Sequence, residues 1–168
     1  MRVYIPATFA MINRLSETGV LQVRSGYVFG VTPALTEFYT SGDEDELADV
    51  AFSEAGRASL RLLAIGDEEK FPHRRVVIAA DIADDRLTAL PDMDTAVLKV
   101  APAQLTVEDI ASVHVDVVGA EDAVRDAIDA VDQADMGDPD AEFVLGEAED
   151  HPLAWYDVSE LPFLVELL

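Results

Sequence analysis

The sequence predicts an α+β fold, a single domain built on a mixed β-sheet of about five to six strands with helices packed mainly on one face. Three observations predict it. Alternating or β-branched apolar runs take turns with runs of helical period along the chain, which requires a sheet with helices laid on it. At 168 residues, half of them apolar, the chain matches one ordinary domain with a core of its own. No linker or low-complexity tract divides it.

In "RVYIPA", Val3 and Ile5 alternate with Arg2 and Tyr4, the period of a strand. Thr8 can cap a helix over Phe9–Thr18 that Gly19 ends. "GYVFGVT" reads as a second strand, with Gly30 marking a bulge or a close backbone approach. Thr32 and Pro33 then open a short helix as cap and first helical residue, and Gly42 closes it.

Asp43–Ala64 is the longest helical segment, with acids in its first turn, where the helix dipole favours them. Leu47, Val50, Ala51, Ala58 and Leu62 recur at helical spacing, while Ala55, Gly56 and Ser59 leave room for a close neighbour. "IGDEEKFPH" reads as a loop, "RRVVIAADI" as a buried central strand, Asp84–Asp94 as a polar loop and "TAVLKVA" as a further strand.

Thr106 and Asp109 have a capping-box spacing that opens a short helix before the strand "SVHVDVV". Next, Ala120, Ala123, Val124, Ala127, Ile128 and Val131 form one apolar helical stripe. Asp138 and Pro139 start a helix over Asp140–Glu149. "LAWYDV" is a last strand before the apolar tail "LPFLVELL". "VYIPATFAMINRL" and "LKVAPAQLTVEDI" share a strand, proline, helix order that suggests two similar halves.

Net charge is −23, from 34 acids against 11 bases. The imbalance concentrates after residue 86, where 20 acids face Lys99 and Arg125 alone. Direct nucleic-acid binding, which needs bases to displace counterions, is disfavoured, as is an anionic membrane surface. The field instead attracts a basic protein partner or cations to the second half. The absence of cysteine excludes disulfides, thiolate metal sites and a cysteine nucleophile. The opening residues lack signal-peptide order and no apolar run reaches membrane-spanning length, so the expected address is cytoplasmic.

The densest acid lies in "GAEDAVRDAIDAVDQADMGDPDAEF". Asp122, Asp126, Asp129 and Asp132 there project opposite the apolar stripe, as a solvated amphipathic helix requires. A calcium loop fails on spacing, because Phe143 stands where glycine is needed. Charges on successive helical turns also leave a nucleic-acid mimic open. Phosphate loops, dinucleotide turns and serine elbows are absent, so whether the protein is an enzyme stays open, and no cofactor is expected.

Three pairs carry the candidate ligand or partner contacts. Arg57 and Arg61, one helical turn apart, can meet one anion or pair with local acids such as Glu54. His114 and Asp116 share a strand face and offer an acid–base pair or the start of a metal site, although only His73 and His151 stand elsewhere. Trp155 and Tyr156 point to opposite faces, so one packs inward and the other can form an aromatic contact patch beside His151.

Taken together, "MRVYIPAT", "SGYVFGVTPALTEFY", "GRASLRLL", "RRVVIAAD", "SVHVDVVGAEDAVRDAI" and "AEFVLGEAEDHPLAWYDVSEL" resemble an uncharacterised family of small acidic proteins from actinobacteria. The likeness runs over almost the whole chain and implies one domain in an actinobacterial cytoplasm. It brings no activity, cofactor or catalytic residue with it.

Two functions follow from these readings. The first is a binding or interaction module that meets a basic partner through its acidic half, or pairs a sheet edge with a second copy in a homo-oligomer. The second is a small enzyme or ligand-binding protein for an anionic metabolite, built on Arg57, Arg61, His114 and Asp116. A pocket joining those four residues would favour the second.

Overall fold

The computed structural model describes residues 1–66 and 71–166. Through them run β1 (Arg2–Ala7), α1 (Phe9–Thr18), β2 (Val20–Gln22), β3 (Tyr27–Phe29), α2 (Pro33–Phe38) and α3 (Glu44–Ile65). There follow β4 (Val76–Asp81), β5 (Leu87–Ala89), β6 (Val97–Val100), β7 (Gln104–Thr106) and β8 (Ile110–Asp116). The chain ends with α4 (Glu121–Asp135), α5 (Pro139–Glu149), β9 (Leu153–Asp157) and α6 (Leu161–Glu166).

Seven strands form one sheet in the order β5, β6, β3, β1, β4, β8, β9, and β2 pairs with β7 as a separate ribbon. The fold is α+β as expected, but the main sheet has seven strands rather than five or six, and every pairing is antiparallel rather than mixed. The topology gives the reason. β3 and β4, joined through α2 and α3, flank β1 and each runs against it, so these two co-directed strands never touch. Between β8 and β9 the chain makes a helical hairpin, which returns it to the end it left and makes the next strand antiparallel. β2, β5 and β7 have three residues each, too short to show a period.

Helices cover both faces, which corrects the one-sided expectation. On one face Val3, Ile5, Val76, Ile78, Val113 and Val115 pack against Phe9, Ile12 and Leu15 of α1 and Leu161 and Leu164 of α6. The other face sets Phe29, Val77 and Val97 against Leu35 of α2 and Leu47, Ala51 and Ala55 of α3. Behind α3, its Leu60 and Leu63 meet Val124, Ala127 and Val131 of α4 and Leu145 of α5. Fully burying Val124, Val131 and Leu145 is worth about 1.5–3 kcal/mol each, and this fastens the α4–α5 hairpin to α3.

Local signals set the ends of the elements. Thr8 caps α1 by accepting from the Met11 amide at 3.3 Å, and Gly19 closes it at φ 74°. Asp43 caps α3 through the Glu46 amide at 2.9 Å, while α2 ends at Phe38, four residues before Gly42. The small residues of α3 let it lie close on the sheet. Ser59, fully buried, donates to the Ala7 carbonyl at 2.7 Å and accepts from the Val76 amide at 3.1 Å, which ties α3 across β1 and β4. At Gly30 a Cβ would stand 2.9 Å from Met1 Cε and 3.2 Å from Leu98 Cδ1, so the glycine serves a close approach.

The second of the two similar segments does not repeat the first. After β6 comes β7 and one 3₁₀ turn over Val107–Asp109, where Asp109 accepts from the Thr106 amide at 3.0 Å. The loop read over 65–73 and the tail read over 161–168 fall partly outside the described residues, and the described part of the tail is α6.

Candidate functional site

Arg57 and Arg61 reach across from α3 to the acidic hairpin. Arg57 donates to both oxygens of Glu142 at 2.8 and 3.2 Å and through Nε to Asp135 at 3.1 Å. Arg61 grips Asp135 in a fork, with Nε at 2.7 Å and Nη2 at 2.9 Å. The hydrogen bond from Arg61 holds the Asp135 carboxyl below the ordinary carboxylate range, and the one from Arg57 does the same for Glu142. The partners are acids from the far end of the chain rather than Glu54. Packing of α4 and α5 on α3 brings Asp135 and Glu142 onto the two guanidinium groups, a proximity that spacing along α3 cannot show.

The acids that remain on the hairpin face water. Asp122, Asp126, Asp129 and Asp132 are exposed on α4, and among the described residues Arg125 pairs only with Asp122, at 3.6 Å. Between α4 and α5 runs a groove of about 380 Å³, walled by Asp126, Asp129, Asp140 and Glu147 over a floor of Ala130, Ala141 and Val144. None of those four carboxylates has an ion-pair partner among the described residues. Phe143, 71% exposed, stands one helical turn from both Asp140 and Glu147. Asp138 is spent locally, capping α5 through the Asp140 amide at 3.0 Å.

His114 and Asp116 share a face of β8, yet they enter different surroundings. Asp116 is buried in an ion pair with Arg75 at 2.7 Å. The His114 ring instead exchanges a hydrogen bond with Ser112 Oγ at 2.9 Å and meets Phe52 of α3 edge to face at 4.9 Å. Burial, with a smaller effect from Arg2, pushes the His114 imidazole below the ordinary histidine range, so the ring favours its neutral form.

Trp155 lies opposite His114 across the β8–β9 pair and is 60% exposed, whereas Tyr156, opposite Val113, packs on the core beneath. The two aromatic residues thus point to opposite faces. Trp155, His114, Phe52 and Tyr4 wall an open recess of about 470 Å³. His151 takes no part in it, and its carbonyl accepts from Arg75 at 2.8 Å.

Among the described residues, none of the five main clefts gathers the four residues of the anionic-metabolite reading. Arg61 lines one cleft, His114 lines another, and Asp116 is sealed behind Arg75. Sequence reasoning missed Arg75, whose only signal was a charge directly before the apolar run of β4. It also missed Arg24 and Ser25, which line a cleft of about 550 Å³ together with Glu54, a residue read only as a pairing acid for the two arginines. Among the described residues no cluster of three or more metal-ligating side chains occurs, and no helix is long and apolar enough to cross a membrane.

A family model described as a family of unknown function, DUF6912, matches residues 1–165. No curated protein and no solved structure matches the chain.

Proposed function

Because the chain belongs to DUF6912, a family of unknown function, its role is read from its own surfaces, and we propose that it is a binding module that docks a basic protein partner on the α4–α5 face. The observation that carries this reading is the groove itself, where four carboxylates without an ion-pair partner among the described residues surround an apolar floor, with the exposed Phe143 one helical turn from Asp140 and Glu147.

An acidic face that serves only solubility needs no groove and gains nothing from an exposed aromatic. Docking uses both. Carboxylates raise the encounter rate and orient a positive partner, while a buried aromatic anchor supplies most of the affinity. The ion pairs of Arg57 and Arg61 brace the hairpin against α3, so the groove is presented on a supported element. The expected partner segment is an amphipathic helix with arginine or lysine flanking one apolar stripe.

The test is a titration of the protein into a labelled amphipathic basic peptide at low and high salt. Binding should weaken as salt rises, and should fall roughly tenfold or more in Phe143→Ala and in the combined Asp126→Asn, Asp129→Asn, Glu147→Gln protein. Binding that depends on the carboxylates but ignores Phe143→Ala is diffuse charge attraction and rejects the docking site.

A further inference from the structure

Of the nine arginines, seven find an anionic or carbonyl partner within the chain. Arg14 and Arg24 have none among the described residues, although the chain holds three acids for every base. Both line one small recess beside α1, and Arg24 also lines the 550 Å³ cleft between α3 and strands β3 and β6. In so acidic a protein, a guanidinium at the mouth of a cavity that has no partner among the described residues is open to an external anion.

The turn that carries Arg24 is built for this position. Ser25 holds φ 57°, the one positive value at a non-glycine residue in the described chain, and Gly26 follows at 77°. Two left-handed residues in succession reverse the chain directly after Arg24, and a Cβ at Gly26 would press to 3.2 Å from the Val100 carbonyl.

The cleft also has an acidic end. Glu54, half-buried on α3, has no hydrogen-bond partner among the described residues. Burial and then the Asp94 carboxylate push its carboxyl above the ordinary range, against the weaker pull of Arg61 and Arg57. Arg61 is engaged with Asp135, so it offsets the repulsion between Glu54 and Asp94 only in part. A cation placed there would relieve it. Phe29, Val97 and Leu62 make the surface in between apolar.

We propose that this cleft binds a small zwitterion with an apolar middle, of the class of a dipeptide of apolar residues, carboxylate on Arg24 and ammonium on Glu54 and Asp94. A purely anionic ligand would leave the acidic end repelled, and a cation alone would make no use of Arg24. The site is separate from the α4–α5 groove and does not depend on the docking reading.

Isothermal titration and amide chemical-shift mapping with dileucine test it, alongside its N-acetylated and C-amidated forms. The free dipeptide should bind and shift amides around Arg24, Tyr27 and Glu54, and each blocked form should bind roughly tenfold more weakly or worse. Arg24→Gln should abolish the preference for a free carboxylate while keeping that for a free amine, and Glu54→Gln should do the reverse. Spectra away from the cleft report whether each variant is folded. Absence of binding by the free dipeptide overturns the proposal, as does equal binding of all three forms or tighter binding of either blocked form. The basic-peptide titration on the other face can fail without touching this result.

Discussion

Arg75 holds Asp116 through three hydrogen bonds, from its amide at 2.7 Å, from Nε at 2.8 Å and from Nη2 at 2.7 Å. The same Nη2 donates to the carbonyls of Ala148 and His151, so one guanidinium joins β4, β8 and the end of α5. The two side chains are 6% and 0% exposed. Removing one partner strands a charge away from water, which costs about 3–5 kcal/mol. Urea denaturation of Arg75→Ala and of Asp116→Ala should show losses of that size. The double variant Arg75→Met, Asp116→Leu should lose less than the sum of the single losses, since it strands no charge.

Asp135 serves two arginines at once, which makes the α3–α4 junction sensitive to acid. The folded carboxyls of Asp135 and Glu142 lie below their unfolded values, so folding favours their ionised forms. Their contribution is fully present above the unfolded carboxylate range and is lost as pH falls through the lowered folded values. Asp135→Asn should flatten that part of the stability curve, measured as urea midpoint against pH. Because the pairs are partly exposed, a double-mutant cycle between Arg57 and Asp135 should return a coupling of about 1 kcal/mol or less.

The path of the chain was legible wherever a cap and a period agreed. Thr8 to Gly19 bounds α1 as its residues require, and Asp43 opens α3. The three-residue strands β2, β5 and β7 had no period to read, and the antiparallel order depends on which elements are neighbours, a property of the whole chain. The site was legible one element at a time. Spacing placed Arg57 beside Arg61 and His114 on the face of Asp116. It could not show that Asp135 would reach the first pair, or that Arg75 would take Asp116 away from the second. Arg24 carried no signal at all, because its distinction is the lack of a partner among the described residues, which only the folded chain reveals.

Glu54 works against stability at neutral pH. Its folded carboxyl is raised by burial and by Asp94, so the folded state binds its proton more tightly than the unfolded chain does. Stability is therefore lost as pH climbs from the ordinary glutamate range through the raised value. Glu54→Gln should raise the melting temperature at neutral pH and leave it unchanged in acid well below that range, where both states are protonated. An equal gain at every pH would mean that the substitution acts through packing instead.

His114 has the opposite sense. Its ring is depressed by burial against Phe52 and, to a smaller extent, by the Arg2 charge, so the folded state resists the proton that the unfolded chain accepts. Stability is complete above the unfolded histidine value, about 6.5, and falls as pH drops from there through the lowered folded value. The imidazole Cε1 proton resonance should titrate with a midpoint below the ordinary histidine range. His114→Gln should remove this slope while leaving the carboxylate-driven loss at lower pH in place. Because Trp155 faces His114 across the strand pair, its fluorescence should change over the same pH interval, and a fluorescence that stays constant while the ring titrates would show that the indole does not sense the imidazole charge.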